Sequence, residues 1–214
     1  MRLYLTVQRY IFALAVLGSI LLIAVLATGS NEEFVASFNL LMAPILETEQ
    51  PYQAIIATGK ENGWAWDGNT DWKQTWLVSN WPFLPLVGAA FSMAIGGEIK
   101  SVEKSQTYGM LGAVIGAVVI WVITISLCNS VFGYEFLGTA AFNLMEGVGV
   151  QTDPTITLLA GVLTNSALVC VAVSLGFIFW MWMWIPGMHT FGVRAIVAWS
   201  FDRVAPEPLG QISP

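Results

Sequence analysis

Tyr108-GMLGAVIGAVVIWVITISLCN-Ser130 runs without one charged residue. About 20 apolar residues carry an α-helix across the hydrocarbon core of a bilayer. A backbone in lipid must satisfy its N–H and C=O groups within the segment, so this run reads as a spanning helix. Three more windows share its character: 10–28 before it, 81–97 (shorter and interrupted), and 155–184 after it. The chain of 214 residues is 56% hydrophobic and only 10% charged, against roughly 25% charged in an ordinary soluble domain. Its 10 Trp and 12 Phe suit the two faces of a bilayer, where rings with one wet edge are favoured. The expected fold class is therefore all-α integral membrane, with four transmembrane helices in a single domain over 1–214. The connections 29–80 and 131–154 lie outside, and 186–214 forms a cytoplasmic segment.

Orientation follows from the basic residues. Arg2 and Arg9 precede the first window, Lys100 and Lys104 lie between the second and third, and Arg194 and Arg203 follow the fourth. Lys60 and Lys73 fall on the opposite side, amid most of the acidic residues. The positive-inside rule then places both termini and the 98–107 loop in the cytoplasm, as expected of a multi-pass plasma-membrane protein. A secretory signal is the competing reading of the first window, but its apolar core exceeds the length of a signal, and no small-x-small cleavage site follows. In the first outer connection, Asn31, Glu32 and Glu33 open a helix, and Phe34, Phe38, Leu41 and Ile45 follow at helical spacing, which predicts a surface-lying helix. Trp64, Trp66, Trp72 and Trp76, among Gly, Asp and Asn, predict an irregular cap anchored at the outer interface. A short helix is expected around Thr139 to Met145.

Chemistry is sparse. Pro82 and Pro85 open the second window, and Gly88, Gly96 and Gly97 interrupt it, which suits a helix broken near the bilayer midplane. Broken helices expose backbone groups to a transported ligand; the same small residues also suit close packing of helices. Ser166, Cys170 and Ser174 form one weakly polar stripe in the fourth window, fit either for a polar path or for packing and back-bonding. Gly109, Gly112 and Gly116 make a packing pattern in the third. His189 has no second metal ligand nearby, and Cys128 and Cys170 sit in apolar runs as small hydrophobes, so neither a metal site nor a disulfide framework is expected. No basic patch exists to bind nucleic acid. With no ionisable residue inside a window and no catalytic or nucleotide-binding motif, binding and translocation fit the chain better than enzyme chemistry.

Gly96-Gly97-Glu98-Ile99-Lys100 resembles a landmark of the amino acid–polyamine–organocation permease superfamily, whose sixth helix typically ends in Gly-Glu-x-Lys followed by Asn-Pro. Gly88 falls where that family has Gly-Phe-Glu at the unwound centre of the helix, although Ala89 and Ala90 replace Phe and Glu, and Ser101 and Val102 replace Asn-Pro. A second landmark is the order Arg194, Ala198, Trp199, Phe201, Asp202, Arg203 and Pro206, which is similar to the family's cytoplasmic aromatic-rich helix after helix eight.

The resemblance implies that the four windows correspond to helices five to eight of a ten-helix inverted repeat. It implies a substrate contacted by Gly88, Ala89, Ala90 and Phe91, an ion site at Ser174, and a cytoplasmic gate or structural role for Glu98, Lys100, Arg194, Asp202 and Arg203. No cofactor is implied, and the coupling ion, H+ or Na+, stays undetermined. The expected partners are the lipid bilayer, an amino-acid substrate and the remainder of a transporter, since this chain holds the family's sixth helix but not its first. The alternative from a different class is a non-transporting membrane subunit or scaffold, whose glycine-rich windows and Trp-rich cap serve assembly.

Overall fold

The computed structural model describes residues 2–66, 71–79, 101–149, 154–204, 206 and 208. Among them the chain forms eight helices and no strand: α1 (Arg2–Thr28), α2 (Asn31–Leu46), α3 (Pro51–Glu61), α4 (Trp72–Val78), α5 (Val102–Phe132), α6 (Tyr134–Glu146), α7 (Ile156–Thr164) and α8 (Ala167–Phe201).

Three of these helices, α1, α5 and α8, are long and apolar enough to cross a membrane. At 1.5 Å per residue, their 27, 31 and 35 residues span about 40, 46 and 52 Å, more than the roughly 30 Å of a hydrocarbon core. Only 11%, 6% and 11% of their most apolar stretches are buried within the chain. Leu17, Ile115 and Leu168 are 60%, 61% and 78% exposed. Water would penalise such helices heavily at about 25 cal/mol per Å² of apolar surface, so this architecture fits a membrane protein. The fourth expected span, 81–97, lies outside the described residues.

The window 155–184 is not one helix. It divides at Asn165, which adopts φ 46 and ψ 38, the left-handed conformation that ends a helix. Ser166 N–H bonds back to Gly161 O at 3.2 Å and Asn165 N–H to Val162 O at 3.1 Å, so the last carbonyls of α7 are satisfied by the turn itself. The helix long and apolar enough to cross a membrane starts only at Ala167 and runs to Phe201, well past Trp184. Residues 186–201, expected as a separate cytoplasmic segment, therefore continue α8. Its end is closed by the same kind of turn: Arg203 takes φ 59, Val204 N–H reaches Trp199 O at 2.9 Å, and Ser200 Oγ donates to Pro206 O at 3.1 Å.

The connection 29–80 is also more ordered than expected. Ser30 caps α2 with a reciprocal pair: its Oγ accepts from Glu33 N–H at 3.3 Å, and its own N–H donates to Glu33 Oε2 at 3.0 Å. The first half of α2 is not surface-lying, since Phe34 and Phe38 are 0% and 2% exposed. Pro51 at the first helical position starts α3, where its missing N–H costs nothing. Asp71 caps α4 by accepting from Lys73 N–H at 2.8 Å.

The chain divides into two compact units. One comprises Met1–Ile11, Asp71–Val119 and Trp180–Pro214; the other comprises Phe12–Thr70 and Ile120–Phe179. The second has a hydrophobic core built from the end of α1 (Leu26), α2 (Phe34, Phe38), α3 (Tyr52, Ile55, Ile56), the end of α5 (Cys128, Val131, Phe132), α6 (Phe136, Ala140) and α7 (Leu159, Leu163). Within the same unit α1 and α8 cross at Gly18 and Gly176. A Cβ added to Gly18 would lie 2.4 Å from Gly176 Cα, so the two backbones touch where neither residue has a side chain. Ala15 and Val173 flank the contact at 0% and 3% exposure.

Candidate functional site

Two buried polar nodes and one bare glycine crossing stand out among the described residues. The first node lies where α5 ends. The last carbonyls of a helix have no intrahelical donor, and here two side chains from other helices supply them. Asn31 Nδ2 donates to Val131 O at 2.9 Å, and the Tyr52 phenol donates to Phe132 O at 3.0 Å. Aromatic packing fixes Tyr52 in place: its ring stacks on Phe136 with centroids 4.7 Å apart and planes 9° apart, and Phe34 meets Phe132 at 4.7 Å. Burial pushes the phenol above its ordinary value near 10, the Glu135 charge adds to the rise, and the hydrogen bond with Asn31 opposes it.

The second node joins α3 to α6. Asn143, fully buried, donates through Nδ2 to Ile55 O at 3.0 Å. Its Oδ1 is buried without a hydrogen-bond partner. Gly59 faces it: a Cβ there would stand 2.7 Å from Thr139 Cβ and 3.2 Å from Asn143 Oδ1, so the lack of a side chain at position 59 sets how closely the helices approach. Lys60 and Glu135 pair at 2.9 Å across the same two helices, with side chains 48% and 51% exposed; exposed pairs of this kind contribute about 0–1 kcal/mol.

Of the residues expected to bind substrate or form the gate, Gly88, Ala89, Ala90, Phe91, Glu98 and Lys100 lie outside the described residues. Ser174, the expected ion ligand, is half-buried on α8, one turn beyond Cys170. The other members of its stripe have structural uses. Ser166 Oγ accepts from Val169 N–H at 3.4 Å in the first turn of α8, and Cys170 packs on Gly161 of α7, where an added Cβ would come within 2.6 Å. Arg194 is half-buried on α8, while Asp202 and Arg203 are exposed at its end. Among the described residues no group of three or more His, Cys, Asp or Glu side chains is placed to hold a metal ion.

Sequence reasoning missed Tyr52, Gly59 and Asn143. One signal was present: Pro51 followed by Tyr52, Ile55, Ile56 and Gly59 at helical spacing marks the start and buried face of α3. Asn143 gave none, because an asparagine in a short amphipathic helix reads as solvent-facing until a neighbouring backbone is placed against it. Of the tryptophans expected at the membrane interface, Trp64 is half-buried against Gly138, while Trp66 meets Tyr134 at 4.3 Å and keeps 51% of its surface exposed.

Comparison with protein-family models, curated proteins and solved structures gives no match to the chain.

Proposed function

We propose that this chain is part of a secondary active transporter in the plasma membrane, moving amino acids or related small organic cations by alternating access. The observation that carries this reading is the bare crossing of α1 and α8 at Gly18 and Gly176 between helices whose other faces are largely uncovered. Helices that meet on glycine backbones while exposing most of their apolar surface suit a larger bundle, in which further helices pack around them. The absence of a charged residue or histidine between Tyr10 and Thr28 and between Tyr108 and Ser130 suits ligand handling by backbone and hydroxyl groups, as in transporters with interrupted helices. The two sequence landmarks, at 96–100 and 194–206, support the same reading.

In this scheme Gly88, Ala89 and Ala90 offer backbone groups to the substrate, Phe91 shapes its site, and Ser174 contributes a hydroxyl to the ion. The test is uptake of radiolabelled amino acids into vesicles holding this chain together with the remaining helices of the transporter. Uptake above that of empty vesicles, abolished by Gly88→Leu, is expected. Unchanged uptake in that variant removes Gly88 from the site. A completed protein that binds and moves nothing supports instead the scaffold reading, in which the packed core of α2, α3, α6 and α7 serves assembly.

A further inference from the structure

We propose that α4 is a lipid-interface anchor, with Trp72 and Trp76 seated among the headgroups of a bilayer. The inference rests on the chain being embedded in a membrane but not on its being a transporter. Trp72 and Trp76 lie one turn apart on one side of α4 and are 79% and 78% exposed, while Leu77 and Val78 beside them are 66% and 61% exposed. No residue of this helix is buried. An isolated seven-residue helix has little intrinsic stability, so Asp71 capping Lys73 and Gln74 N–H groups needs a further contribution from a surface that covers the rings.

Chain geometry favours lipid as that surface. Only Ser79 and Asn80 separate α4 from the apolar window that opens at Trp81, and two residues reach at most about 7 Å. On the sequence expectation that this window enters the bilayer, α4 would be held at its edge. The chemistry agrees, because an indole buries a broad apolar face while its ring N–H stays within reach of phosphate and carbonyl oxygens. Lys73, between the two tryptophans in sequence, has a long apolar stem and can carry its ammonium to a lipid phosphate. Trp64 is half-buried against Gly138, and Trp66, 51% exposed, rests on Tyr134, so Trp72 and Trp76 are the most exposed pair among the four outer tryptophans.

The test uses the full chain in phosphatidylcholine vesicles and compares it with the Trp72→Phe, Trp76→Phe double variant. The difference in emission between the two reports the pair. Lipids brominated near the headgroups are expected to quench that difference signal more strongly than lipids brominated at the chain ends, and aqueous iodide is expected to quench it weakly. A signal quenched by iodide and by neither lipid would place the rings in water and overturn the proposal. Shielding from all three quenchers would place them against protein, either a partner or a second copy of the chain, and would overturn it equally. Failure of every brominated lipid to quench any emission from the unaltered chain would instead show that the protein is not in the membrane. The corresponding Trp64→Phe difference signal, from a ring half-buried against Gly138, is expected to be quenched less by all three, which controls for a tryptophan partly covered by the chain itself.

Discussion

Tyr52 and Asn143 show what single polar residues do in the core of this chain. The Tyr52 phenol is raised above its ordinary value mainly by burial, so the folded state holds that proton more tightly than the unfolded chain. The stabilising contribution is complete below pH 10 and declines as pH rises from there through the folded value, because the unfolded chain releases the proton first. Thermal unfolding in detergent, followed by near-ultraviolet circular dichroism, should show a steeper loss of stability above pH 10 in the natural chain than in Tyr52→Phe. Near neutrality the same variant should lose about 1 kcal/mol with the hydrogen bond to Phe132 O. Asn143 invites a sharper test. Asn143→Asp replaces the donor to Ile55 O with an acceptor and places a carboxylate at a fully buried position, so a loss of about 3–5 kcal/mol is expected. Asn143→Leu removes the unpartnered Oδ1 as well and should cost clearly less. Equal losses in the two variants, measured by denaturant or heat, would show that volume and not polarity matters at this position.

Elements begin and end here for local reasons, and those reasons are separable from packing. Ser30 and Glu33 form a reciprocal cap directly after α1, so a helix of different character starts after only two intervening residues. Ser30→Ala should destabilise α2 by about 1 kcal/mol, visible as a lower unfolding midpoint and faster backbone hydrogen exchange over Asn31–Leu46. Unchanged exchange in that segment would mean that the contacts of Phe34 and Phe38 hold the helix without its cap. The break at Asn165 has the same local logic: a left-handed residue and two backward hydrogen bonds end α7 inside an apolar run. Cys170 packing on Gly161 then folds the first turn of α8 onto the helix it has just left.

At the scale of the molecule, glycine placement governs how helices come together. The crossing of α1 and α8 leaves no volume for a side chain, and the nearest atoms on each side are backbone, which cannot rotate away. Gly18→Leu should therefore separate the two helices, lowering stability by at least about 1–3 kcal/mol and reducing the folded fraction recovered in detergent. Gly112→Ala, where an added Cβ meets open space, serves as the control and should not lower the unfolding midpoint. If both substitutions act alike, intrinsic helix propensity and not the crossing sets the outcome. The exposed apolar faces of α1, α5 and α8 complete the picture, since such faces suit lipid or further helices.

The sequence by itself determined that the chain is helical and apolar enough for a membrane. Uninterrupted apolar runs at 10–28 and 108–130 leave the backbone one way to satisfy its polar groups in lipid, and that requirement depends on composition alone. It also marked the start of α2, because a cap is built from neighbours three residues apart. Only the tertiary structure decided that Trp64 lies against Gly138 while Trp72 and Trp76 stay uncovered, and that Tyr52 and Asn143 are buried donors. Each of these depends on groups far apart in the chain: Tyr52 meets Phe132, and Asn143 meets Ile55. Burial and hydrogen bonding across such separations are properties of the packed chain, and a local pattern of residues carries no record of them.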